Sequence, residues 1–133
     1  MPKPRTTGER TVGMIAHTEL GSTDPEASKR FLEKVFAWDF QTAETPTGKL
    51  ISFRTQGGAR GSIRATRGGE PPASVNYILV KDLESAATKV RKSGGEIVLP
   101  RVDVPGMGSF FWFKVPGGPV LACWADAPGR KLD

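Results

Sequence analysis

Displaced by 58 residues, this sequence lies over itself. Asp24-Pro25-Glu26 falls on Asp82-Leu83-Glu84, Leu32 on Val90 and Lys34 on Lys92. Each copy runs from an apolar-rich segment (14–20 and 75–80) to an Asp, then through an amphipathic stretch into a second run. Further on, Gly57-Gly58 returns as Gly117-Gly118 at an offset of 60. A period this long, present only twice, marks a duplicated supersecondary unit rather than a solenoid. Two such units must bury their sheets together, and a ligand cleft commonly lies where units meet.

Residues 12–20 read as a first strand. Asp24-Pro25-Glu26 is a helix start, because Asp caps free amides, Pro suits the first helical position and Glu favours the positive end of the dipole. Ala27, Phe31, Leu32, Val35 and Phe36 then form an apolar stripe at helical spacing, and the helix should end near Ala37. Residues 38–43, 49–55 and 60–66 look like three antiparallel strands, with Thr47-Gly48 and Gly57-Gly58 as the turns. Residues 67–73 link the copies. The second copy repeats the order: a strand over 74–80, a helix over 83–93 capped by Asp82, then strands over 96–102, 110–114 and 120–124. Ala86, Ala87 and Val90 face inward on that helix, and Gly94-Gly95 stops it.

The fold class is therefore α+β. Two tandem βαβββ modules, 12–66 and 74–126, make a single domain over 12–126, with curved mixed sheets around a cleft and helices outside. Residues 1–11 and 127–133 are polar and read as loose tails.

A chain of 133 residues, 38% apolar and 25% charged, fits one globular domain with a real core. It has no run near the roughly 18 apolar residues of a membrane span. Residues 1–10 lack the apolar core of a secretory signal, so the expected location is the cytoplasm. The lone Cys123 excludes an internal disulfide and a thiolate-cluster zinc site, and reads as a small buried residue of an apolar strand. A net charge of +5 hints at an anionic partner. The basic residues are dispersed, however, between tails (Lys3, Arg5, Arg10, Arg130, Lys131) and helices. With no helix-turn-helix pattern and no aromatic RNA-binding signature, no nucleic-acid or membrane partner is expected.

His17-Thr18-Glu19-Leu20, then Asp24, then Phe31 and Val35-Phe36-Ala37-Trp38 resemble the start of glyoxalase-like proteins. In the second copy Val80-Lys81-Asp82-Leu83, Gly94-Gly95, Pro100, Val104-Pro105-Gly106 and Val115-Pro116-Gly117-Gly118 fall at family-like spacings. The resemblance is to the vicinal oxygen chelate superfamily of glyoxalase I, extradiol dioxygenases and the fosfomycin and bleomycin resistance proteins. It covers about residues 12–126. It implies that each copy of a metal-using member gives one ligand from its first strand and one from its last. The metal they hold chelates two substrate oxygens and stabilises charge developing on them. Here those positions are His17 and Val75, and roughly Ser62 and Ala122. Val and Ala carry no lone pair and Ser is a poor ligand, so no metal site and no cofactor are expected.

Alternation along strands puts Ile15, His17 and Glu19 on one face, joined by Arg60, Ser62 and Arg64, by Val75, Tyr77 and Leu79, and by Val120, Ala122 and Trp124. The opposite parity (Ile63, Ile78, Val80, Leu121, Cys123) is apolar, as a face under helices should be. His17 is the best general base, with Glu19 a second catalytic candidate; either serves equally well as a hydrogen-bonded or ion-paired structural group. Arg60 and Arg64 suit a carboxylate or phosphate, because a guanidinium matches such groups with two parallel N–H donors. As solvated edge-strand charges they would instead blunt aggregation. Trp112 and Trp124 are candidates for stacking on a ligand, while Trp38 reads as core. Pro105-Gly106-Met107-Gly108 reads either as a mobile loop whose Met107 could close over a ligand or as an ordinary strand connection, with the alternating aromatics of Phe110-Phe111-Trp112-Phe113 serving core and cleft.

Three functions fit these residues. The first is a metal-independent protein that holds a partly aromatic or anionic organic molecule, contacted by Arg60, Ser62, Arg64, Tyr77, Met107, Trp112 and Trp124. The second is a lyase, isomerase or dioxygenase-type enzyme using His17 as base or in an altered metal site. The third is a non-catalytic interaction or regulatory module. The resemblance also implies a homodimer.

Overall fold

The computed structural model describes residues 10–45 and 48–129. Most of both expected tails, and Thr47 of the first expected turn, lie outside the described residues. Ten elements follow the expected order: β1 (Ile15–Ser22), α1 (Pro25–Phe36), β2 (Asp39–Thr45), β3 (Gly48–Arg54), β4 (Arg60–Ala65), β5 (Ser74–Leu79), α2 (Leu83–Lys92), β6 (Glu96–Val104), β7 (Gly108–Lys114) and β8 (Val120–Asp126). The fold is α+β, as the patterning implies. No helix among the described residues is long and apolar enough to cross a membrane.

By their contacts the residues form two units, one of His17–Val75 and one of the described parts of Met1–Ala16 and Asn76–Asp133. In the first unit the strand order is β2-β3-β4-β1, and in the second β6-β7-β8-β5. Within each unit the first strand pairs parallel with the last, while the three later strands are antiparallel. The duplication is kept at the level of register. Glu19 stands opposite Ser62, Leu20 opposite Ile63 and Gly21 opposite Arg64. Their repeats do the same: Tyr77 faces Ala122, Ile78 faces Cys123 and Leu79 faces Trp124.

Both helices start as their sequences dictate. The Asp24 carboxylate accepts from the Ala27 amide at 3.1 Å and Asp82 from the Ser85 amide at 3.0 Å, satisfying amides that have no partner inside the helix. Helix α1 ends on Ala37 in the left-handed conformation (φ 56°), and the Gln56 side chain donates to the Phe36 and Ala37 carbonyls.

The strands of each unit pack one face beneath the unit's helix, and Ser62, Val75, Tyr77, Leu79 and Ala122 of the opposite parity are buried as well. In the first unit Ile51, Phe53 and Ile63 are buried and pack with Leu20, Leu32, Trp38 and Phe40; the Trp38 and Phe53 rings stack at 4.8 Å. In the second, Leu83, Phe111, Phe113 and Cys123 are buried among Ile78, Val80, Ala86, Ala87, Val90 and Leu121. Burying a side chain of this size stabilises by roughly 1.5–3 kcal/mol over leaving it exposed.

Helix α1 departs from expectation. Of its apolar stripe only Leu32 packs against the buried cluster, beside Trp38 and Phe40, while Phe31, Val35 and Phe36 are 60%, 53% and 52% exposed. The segment 104–107 is an ordinary strand connection, the second of its two readings. Val104-Pro105-Gly106-Met107 is a tight turn in which the Met107 amide donates to the Val104 carbonyl at 3.0 Å, with Gly106 at φ 75°. Pro and Gly at the two central positions suit that turn, so β6 and β7 run up to it.

Candidate functional site

The alternating strands place the expected site residues on the faces that point away from the helices. In the first unit β1 contributes His17 and Glu19, and β4 contributes Arg60, Ser62 and Arg64. The structure brings four of these into contact. His17 Nε2 is 2.8 Å from Ser62 Oγ, and Arg64 Nε donates to Glu19 Oε1 at 2.8 Å. Arg60 lies on the same face, opposite Arg54 of β3.

The Arg64 guanidinium, 26% exposed, is taken up by carboxylates of the chain itself. Its two terminal nitrogens donate to the two carboxylate oxygens of Glu70, Nη1 to Oε1 at 2.9 Å and Nη2 to Oε2. One arginine therefore carries two carboxylates. Glu70 comes from the linker, where a turn over 67–70 closes with the Glu70 amide donating to the Arg67 carbonyl at 2.9 Å. The Arg67 amide donates back to Glu70 Oε1 at 2.9 Å. The bonds from Arg64, then that from the Arg67 amide, hold the Glu70 carboxyl down to about 2, and Glu70 in turn raises Arg64 further above its usual range. Glu70 was invisible as a site residue in the sequence, where it is one acidic residue between Gly68-Gly69 and Pro71-Pro72.

The equivalent face of the second unit is aromatic. Tyr77 of β5, Phe110 and Trp112 of β7 and Trp124 of β8 form a connected group. Tyr77 meets Phe110 edge-on at 5.5 Å, and Phe110 stacks on Trp124 at 6.3 Å. Both indole N–H groups are already used: Trp112 Nε1 donates to the Tyr77 hydroxyl at 2.9 Å and Trp124 Nε1 to Asp126 Oδ1 at 2.8 Å. Arg10, which falls in the stretch read as a loose tail, donates from Nη2 to both Asp126 oxygens at 3.0 and 3.1 Å. Met107 sits in the β6–β7 turn, where its carbonyl accepts from the Ala127 amide at 2.9 Å. Gly108 beside it lies so close to Trp124 that a Cβ would strike the indole ring. Phe110 joins the group from the aromatic run 110–113, at the two-residue spacing from Trp112 that puts both on one face.

The same scaffold thus carries two chemistries. Glu19 and Ser62 in one unit become Tyr77 and Ala122 in the other, and His17 becomes the buried Val75. This donor set does not fit the divalent metal that the resemblance implies. It offers one imidazole, bonded through Nε2 to a hydroxyl, and two hydrocarbon side chains. Among the described residues no group of three or more His, Cys, Asp or Glu side chains is placed to hold a metal ion.

A cavity of about 550 Å³ lies on the opposite, helix-bearing side of the first unit, between Leu20, Ala27, Phe31, Leu32 and Pro72. Its polar rim is self-satisfied. Ser22 and Ser28 hydroxyls are 2.6 Å apart, the Asp24 amide donates to Ser22, and Asp24 caps the helix.

Comparison with known proteins agrees with this architecture. The sequence model of the Glyoxalase/Bleomycin resistance protein/Dioxygenase superfamily matches residues 14–121. The chain is 28% identical over 112 residues to the putative glyoxylase CFP32 of Mycobacterium tuberculosis, covering 80% of this chain and 43% of that one. It is 27% identical over 128 residues to the anthracycline biosynthesis protein DnrV of Streptomyces peucetius, covering 84% and 46%. It therefore spans less than half the length of the curated relatives it matches. Among solved structures, the hypothetical protein BH1468 from Bacillus halodurans C-125 shares the fold with a TM-score of 0.72 at 11% identity, over 91% of this chain and 99% of that one. With a duplicated βαβββ fold and a family match over most of its length, the chain belongs to the Glyoxalase/Bleomycin resistance protein/Dioxygenase superfamily.

Proposed function

We propose that this domain binds a small organic molecule with a planar aromatic body and does so without a divalent metal. The observation that carries the reading is the group of Tyr77, Phe110, Trp112 and Trp124, whose ring edges are tied by internal hydrogen bonds. Tyr77 is buried (4% exposed) and backs the half-buried Phe110, Trp112 and Trp124, whose rings, fixed in this way, lose little freedom on binding and would supply the stacking surface. A relative is named for the biosynthesis of anthracyclines, which are aromatic compounds. Metal independence is supported by the hydrocarbon side chains at Val75 and Ala122.

The test is a titration of planar aromatic compounds followed by intrinsic tryptophan fluorescence. Saturable quenching is expected, with about tenfold weaker binding in Trp112→Ala, the size of a lost stacking contact of about 1.4 kcal/mol. Quenching unaltered by that substitution would remove the aromatic face from the account.

A second reading is an enzyme in which His17 acts as general base. What favours it is the short contact between His17 Nε2 and Ser62 Oγ, which fixes the imidazole on the polar face. Turnover of a superfamily substrate that disappears in His17→Ala, with ligand binding preserved, would establish this reading. A homodimer belongs to the proposal on family resemblance, and size-exclusion chromatography with light scattering reads it directly.

A further inference from the structure

We propose that Arg64 is a carboxylate-binding subsite which Glu70 occupies as a built-in stand-in for the ligand. This rests on the reading of the domain as a small-molecule binder and names one chemical group of what it binds. Three features of the first unit carry it. Glu70 fills the bidentate end of the guanidinium with both carboxylate oxygens, the geometry in which a free carboxylate would bind. The third donor, Nε, is held separately by Glu19 on β1, so removing Glu70 leaves Arg64 oriented toward the same side. The side chains of Arg64 and Glu70 are 26% and 27% exposed, so the pair is reachable from solvent.

The carrier of Glu70 is a strap fixed at its ends. The Thr66 amide donates to the Ser22 carbonyl at 2.9 Å, and the Gly21 amide donates to the Ala73 carbonyl at 2.8 Å. Between them the 67–70 turn, with Gly69 at φ 79°, supplies Glu70. Glu70 can leave Arg64 without moving either strand. Exchange with a ligand carboxylate conserves charge: one guanidinium with two carboxylates becomes the same set with one carboxylate supplied from outside. A tethered carboxylate competes at an effective concentration in the millimolar range, so a simple carboxylate loses to it and a ligand with an additional apolar body can win. The strap thereby selects for aromatic or aliphatic acids over small anions.

The test compares benzoate with its neutral counterpart benzamide on the wild-type chain and on Glu70→Gln, by NMR. Benzoate is expected to bind Glu70→Gln about tenfold more tightly than wild type, because the internal competitor is gone. Benzamide is expected to bind both alike. In that titration the Arg64 Nε signal should shift, and in the wild type benzoate should speed hydrogen exchange of the Glu70 amide. Equal benzoate affinity in the two proteins, or a gain that leaves the Arg64 signal unmoved, overturns the proposal. Glu70→Ala serves as the second variant, since Gln retains a carbonyl that can still accept from Arg64. Benzamide binding with no gain for benzoate overturns the stand-in while leaving the aromatic site intact; binding of neither compound to either variant also overturns it. The fluorescence titration judges the broader reading separately.

Discussion

His17 Nε2 lies 2.8 Å from Ser62 Oγ across the parallel β1–β4 pair, bridging the same sequence separation of 45 residues as the Arg64–Glu19 ion pair beside it. These are two rungs of one ladder, two residues apart on each strand. Ser62 is 5% exposed, so its hydroxyl depends on protein partners.

Replacing His17 by Ala is therefore expected to lower stability by about 1–3 kcal/mol, the cost of leaving a buried hydroxyl without this partner. Urea denaturation of His17→Ala, Ser62→Ala and the double variant should give a coupling of about 1 kcal/mol. Independent effects would show that the contact contributes nothing.

Glu70 gives the stability a distinctive acid limb. Its carboxyl titrates near 2 in the folded chain instead of the ordinary 4.5. Its contribution is thus fully present above pH 4.5 and is lost as the pH falls through the folded value of about 2. Thermal melts from pH 6 to pH 2 should show wild type and Glu70→Gln converging at the acid end. Curves that stay parallel would mean the ion pair does not form in solution.

Gly61 of β4 is expected to tolerate no side chain. A Cβ there would collide with the Phe53 ring and with the Thr18 carbonyl of β1, one of them backbone that cannot move without breaking the strand pair. Gly61→Ala should cost about 3 kcal/mol, at the upper end of overpacking penalties, read as a lowered urea midpoint. A change within 0.5 kcal/mol, the range of an inert surface substitution, would contradict the packing of β1, β3 and β4.

The Cys123 thiol, pushed up to about 11 by burial, should be inert in the folded chain. Reaction with a thiol reagent at pH 8 is expected only on unfolding, at the global rate. Fast labelling of the native protein would place Cys123 outside the core.

Features that follow a local period were legible in the sequence. The helix starts at Asp24 and Asp82 depend on side chains within a few residues, and the division of Ile63, Ile78 and Cys123 from Ser62, Tyr77 and Ala122 follows from strand alternation. The offsets of 58 and 60 also implied that β1 on β4 and β5 on β8 share one register, though not which residues it pairs. What escaped was decided by residues distant along the chain. The pairing of Arg64 with Glu70 depends on how a Gly- and Pro-rich linker turns, and that of Arg10 with Asp126 joins residues 116 apart. The stripe on α1 was correctly read as apolar, yet amphipathicity does not say how much of a stripe finds a seat. Trp38 and Phe40 share the cluster with Leu32, and Phe31, Val35 and Phe36 remain exposed.

The central claim, aromatic ligand binding without a metal, is tested most directly by a thermal-shift screen of planar aromatic compounds run in parallel with and without EDTA. The account predicts compounds that raise the melting temperature equally in both series, with the shift reduced in Trp112→Ala. Shifts that vanish in EDTA and return on adding a divalent metal would contradict it.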